Sequence, residues 1–142
     1  EELSADPSRW GVVDLDGNHR GLLMRLVGAG GHLLAVIPLS GLDLNGLLAW
    51  EQELKNAAGR GISLVVPARV NTHHWAENEP AITQLTAVFG EESLADPLPY
   101  LERIAELPVV GATVWDSPAA ALHRPYRQLL QRVDGIRVLS AD

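Results

Sequence analysis

Asp14 and Asp16, two residues apart in "VVDLDGN" (12–18), are the first pair on which chemistry could be built. Alternate residues at a strand end point the same way. Both carboxylates would then face one spot. A second cluster, "NTHHWAENE" (71–79), gathers His73, His74, Glu77 and Glu79. His73 and Glu77 would share a face if helical, so His73, His74 and Glu77 are candidate metal ligands. The run lacks the H-E-x-x-H order that brings two histidines together. A polar loop leading into a helix, with Trp75 tucked onto the core, is the simpler expectation.

Two further stretches suit binding rather than catalysis. In "PLSGLDLNGLLAW" (38–50) an apolar strand hands over to a helix. The free amides and positive dipole end of such a junction attract anions and partners. Asp43 or Asn45 can cap the first turn, and Asp43, Asn45 and Gly46 are placed to face a partner. In "HRPYRQLLQR" (123–132), Arg124, Arg127 and Arg132 share the outer face of the last helix. They form a basic patch on an acidic chain, a docking surface for an acidic partner. Among the tryptophans, Trp50 belongs in the core, and Trp10 and Trp115 flank strands as half-exposed contact residues. His19, His32 and His123 stand alone, at edges or on the surface.

No complete catalytic motif accompanies these residues. G-x-S-x-G, G-x-x-x-x-G-K-[ST] and G-x-G-x-x-G are all absent. "GAGG" (28–31) follows a helix rather than a strand, so it is a helix stop. The chain has no cysteine, which excludes a thiol nucleophile, a disulfide scaffold and cysteine-held metal. The net charge of −7 opposes nucleic-acid backbones and anionic membranes. No segment approaches the length of a membrane span. No cofactor is expected. The chain begins "EELSADP" and its single Met is Met24, so it reads as a domain excised from a longer protein. Its compartment is open, with the cytoplasm as the default.

The elements that must position these residues follow from hydrophobic period and punctuation. "WGVVDLDGN" (10–18) reads as a strand ending in a turn. "RGLLMRLVGAGG" (20–31) reads as a helix with Leu22, Leu23, Leu26 and Val27 on one face. "HLLAVIPL" (32–39) is continuously apolar, as in a strand covered on both faces of a parallel sheet. Residues 46–58 read as a helix with Leu47, Trp50, Leu54 and Ala57 inward and Glu51, Glu53, Lys55 and Asn56 outward, ended by Gly59 and Gly61. "ISLVVPA" (62–68) is the next strand, and 79–90 a helix started by Pro80. Residues 95–108 repeat the helix formula with Asp96 as cap. "VVGATVW" (109–115) reads as a strand. Residues 116–135 read as a helix with Tyr126, Leu129, Leu130 and Val133 on one face, broken or kinked near His123 by Pro125. "IRVLSAD" (136–142) reads as a final short strand or tail. Helices alternating with strands imply one layered α/β domain over residues 1–142, with a mainly parallel central sheet of about 4–5 strands flanked by helices.

The order of elements over residues 10–90 resembles the STAS domain, the anti-sigma-factor-antagonist family. Asp43, Gly46 and Leu47 match its D-S-x-G-L turn, and Gly61 precedes "ISLVV" as the family's glycine precedes its strand. The resemblance implies a non-enzymatic, regulatory α/β domain that binds protein partners. The family's phosphorylated serine has no counterpart, since residues 44 and 45 are Leu and Asn. "DLDG" resembles the first motif of haloacid-dehalogenase-like phosphohydrolases. That resemblance implies a nucleophilic Asp14 and an acid Asp16 working with magnesium. The motif continues with Asn18 and His19, "LVVPA" offers no hydroxyl residue, and no later acidic pair completes the set. The expectation is therefore a regulatory or scaffolding domain acting through protein–protein contacts, with a partner protein or neighbouring domains of the same chain. A magnesium-dependent phosphohydrolase, or a degenerate relative of one, is the alternative.

Overall fold

The computed structural model describes residues 11–16, 18–118 and 120–139. Its main elements are α1 (Arg20–Gly28), β1 (Leu34–Pro38), α2 (Gly41–Ala58), β2 (Leu64–Ala68), α3 (Trp75–Phe89), α4 (Glu102–Glu106) and α5 (Ala120–Leu139). The class is mixed α/β, with a parallel sheet between helices. The sheet is smaller than the sequence suggests. Among the described residues it has two strands, β1 and β2, in register from Leu34 opposite Leu64 to Pro38 opposite Ala68.

Residues 94–100 extend the sheet irregularly on the far side of β2. Ala95 N–H donates to Val65 O at 2.9 Å, Leu98 N–H to Pro67 O at 2.8 Å, and Tyr100 N–H to Val70 O at 2.8 Å. This corrects the helix expected over 95–108. Pro97 and Pro99 each disfavour the helical region for the residue before them, so no helix forms at Asp96 and Leu98. Only Glu102–Glu106 coil into a helix.

The two faces of β2 feed two cores. Val65 joins Leu44, Leu47 and Leu54 of α2 and Leu85 and Phe89 of α3, with Val27 of α1 at the edge. Leu64 and Val66 point the other way, onto Ala95 and Leu98, and Tyr126, Leu129, Val133 and Ile136 of α5 pack over them. β2 is therefore buried on both faces, as a central parallel strand must be.

Several expected elements take another form. Residues 11–16 carry no regular structure, and Trp10 and Gly17 lie outside the described residues. "VVGATVW" forms 3-10 turns at Leu107–Val110 and Val114–Asp116 instead of a strand. α5 runs through Pro125 unbroken and absorbs Ile136–Leu139, while residues 140–142 lie outside the described set. Pro125 sits one turn into α5, and the apolar stripe packed on β2 holds the helix beyond it. Leu130 is off that stripe, at 54% exposure. α3 starts at Trp75 rather than near Pro80, because Asn71 and Asn78 bind the backbone of its entry turn. Glu51, expected outside, is buried.

α2 is longer than expected because its cap lies earlier. Ser40, not Asp43 or Asn45, is the N-cap, and its hydroxyl accepts Asp43 N–H at 3.3 Å. Gly59 closes the helix at φ 69°, donating its N–H to Lys55 O; that left-handed conformation favours glycine. Ser40→Ala removes the cap and is expected to cost about 1 kcal/mol, read as a lower urea midpoint. An unchanged midpoint would show that Asp43 can take over the cap.

Candidate functional site

Asp14 and Asp16 are exposed, and they differ in what holds them. Asp16 accepts the Asn18 N–H at 3.0 Å and the Asn18 side-chain amide at 3.3 Å, and it pairs with His19 Nδ1 at 2.6 Å. The Asn18 backbone bond first, then His19, keeps its carboxyl below the ordinary range. Both its oxygens thus serve the turn into α1. Asp14 instead lines a cleft beside β1.

His73 and Glu77 are not paired as a helical couple. His74 Nδ1 meets Glu77 Oε1 at 2.9 Å, on the surface, while His73 uses its backbone N–H to cap on Asn71. Among the described residues, no three His, Asp or Glu side chains come together in a metal-holding group. Trp75, expected on the core, is 44% exposed.

At the start of α2, the Asp43 carboxylate is hydrogen-bonded to the Ser40 hydroxyl. Asn45 and Gly46 are exposed in the next turn. They lie within the helix rather than in a separate turn before it. On α5, Arg124 and Arg127 are exposed and border a shallow groove with His123, Gln128 and Gln131. Arg132 turns away and donates to the carbonyls of Glu91 and Glu92 at 3.3 and 3.4 Å. Trp115 is 43% exposed, with its ring 5.6 Å from that of His123. Trp50 is partly buried on the first core, and the Arg20 guanidinium stacks 4.5 Å above it.

A further cleft lies elsewhere, along the outer edge of β1. It encloses about 390 Å³ between residues 11–15, the α1 side chains Leu23, Leu26 and Val27, and the β1 side chains Leu34 and Val36. At one end His32 sets Nδ1 3.2 Å from Ser63 Oγ. Partial burial, and then the Arg60 charge, push the His32 imidazole below its ordinary value. Register explains why this side is bare. Leu34 and Val36 lie opposite Leu64 and Val66 and share their face. α5 packs over Leu64 and Val66, in a cluster that includes neither Leu34 nor Val36. Val36 is consequently 62% exposed, whereas its partner Val66 is 0% exposed. Val12 and Val13, at 88% and 57%, add to the bare apolar surface.

Sequence reasoning passed over Leu34 and Val36 as functional residues. The signal was present in "HLLAVIPL", which is apolar at every position of a strand and so asks for cover on both faces. No family model matches the chain, and neither the curated proteins nor the solved structures contain a significant match to it.

Proposed function

We propose that this chain is a non-enzymatic α/β interaction domain, regulatory or scaffolding in role, whose partner docks on the outer edge and bare face of β1. The partner is a protein, or another domain of the same polypeptide. The observation that carries this reading is the contrast between Val36 and Val66, neighbours in register with 62% and 0% exposure. Parallel strands are stable when both faces are covered, and a two-stranded sheet alone is marginal. An apolar face beside an unpaired edge is a surface built to be covered. The resemblance to STAS domains, which act through protein contacts, points the same way. The phosphohydrolase alternative would require Asp16 to leave the turn that engages both its oxygens.

The test is affinity capture with matched surface variants. Val36→Lys is expected to lower partner recovery at least about 10-fold, the loss when a desolvated hot-spot contact is removed. Val109→Lys, on a different and 85% exposed turn, should leave recovery unchanged. Equal recovery with Val36→Lys would overturn the proposal. Asp43→Asn and Arg127→Ala in the same assay report whether the start of α2 and the α5 patch take part in the contact.

A further inference from the structure

We infer that the element docking on β1 is a single extended strand, apolar on both faces, that inserts between residues 11–15 and β1. This rests on the interaction reading above and specifies its chemistry.

The backbone groups of β1 point in two directions. Leu33 O accepts from Leu64 N–H at 3.2 Å, so Leu33 faces β2. Backbone groups alternate sides along a strand. Ala35 and Ile37 therefore also face β2, and the N–H and C=O groups of Leu34 and Val36 face the cleft. Among the described residues, no hydrogen bond joins β1 to residues 11–15. A helix cannot answer those groups, because its own donors and acceptors are spent internally. An extended chain can answer them, with one donor and one acceptor every second residue.

The shape and lining of the cleft also suit a strand. Its two walls are residues 11–15, which carry no regular structure, and the strand β1, and Leu23 and Leu26 of α1 line it as well. A strand between them would place alternate side chains over α1 and beside Val36. Such a strand is apolar at successive positions, as parallel strands with two covered faces are. Asp14 lines the same cleft, and the whole chain carries −7. The inserted strand is therefore expected to carry a cationic residue at one end.

The probe is the peptide acetyl-Lys-Val-Ile-Val-Ile-Val-Lys-amide, with a fluorescent label, and a second version N-methylated at alternate residues. The first should bind saturably below roughly 1 mM. It should slow amide exchange at Leu34 and Val36 at least about 10-fold, as expected when exposed amides enter a ladder. The N-methylated peptide should bind at least about 10-fold more weakly, because it has lost strand donors. No binding, equal binding of the two peptides, or unchanged exchange at Leu34 and Val36 would overturn strand insertion. A dimer of the free chain that Val36→Lys dissolves would also overturn it, by assigning the edge to a second copy. The two proposals fail separately. If Val36→Lys abolishes partner capture while the peptide leaves the edge untouched, strand insertion is wrong and the docking surface stands. If the peptide binds as described while Val36→Lys captures its partner normally, the docking assignment is wrong.

Discussion

Leu54→Ala is expected to lower stability by about 2–5 kcal/mol, the range for truncating a fully buried leucine. Leu54 is 0% exposed, in the middle of α2's inward face, in the core shared by Leu47, Val65, Leu85 and Phe89. Truncation loses the transfer free energy of the removed carbons. It also leaves a hole that helices on one side and a hydrogen-bonded strand on the other cannot easily close. For a domain with roughly 5–15 kcal/mol in total, that is a large fraction. Val36→Ala removes apolar carbons from a residue of the same sheet, 62% exposed, and should change stability by no more than about 0.5 kcal/mol. Urea unfolding measures both, with an unchanged slope marking a pure stability effect. A Val36 cost equal to that of Leu54 would mean that the β1 face is already covered, and the docking proposal would fall with it.

That contrast also shows what could be read from the residues alone. "HLLAVIPL" and "ISLVVPA" announce buried parallel strands, and their shared apolar character suffices to pair them. The α2 helix follows from its period and from Gly59. Sheet size does not follow in this way. Whether an apolar run becomes a strand depends on finding an edge far away in sequence. "VVGATVW" finds none and folds into 3-10 turns, while residues 11–16 lie near an edge without bonding to it. "ADPLPYLERIAELP" has leucines at helical spacing, yet two X-Pro steps override the period. The candidate site was half legible for the same reason. The sequence shows that Leu34 and Val36 are apolar, and only the reach of α5 determines that they are bare. Asp14 and Asp16 were visible at once, but the Asn18 and His19 contacts that distinguish them are details of one turn.

The Glu51–Gly61 pair should show strong coupling, with a change of sign between backgrounds. Glu51 is 7% exposed; its Oε2 accepts the Ile62 N–H at 2.7 Å and its Oε1 meets Lys55 Nζ at 2.8 Å. The carboxylate thus pins the loop between α2 and β2 from beneath. It lies so close to Gly61 that a Cβ there would overlap both its oxygens. Gly61 is not in the left-handed region, so what its position lacks is space. Gly61→Ala alone must push a buried, hydrogen-bonded carboxylate aside, and should cost about 1–3 kcal/mol. Glu51→Ala alone strands the Ile62 N–H without an acceptor and should cost a similar amount, about 1–3 kcal/mol. Once Glu51 is Ala, the space beside Gly61 is open. Gly61→Ala then acts mainly by restricting the unfolded chain, a gain of about 0.4–1 kcal/mol. The double variant should therefore be no less stable than Glu51→Ala alone, giving a coupling of about 1.4–4 kcal/mol in the double-mutant cycle. Additive losses would show that the cost of Gly61→Ala does not arise from the Glu51 carboxylate.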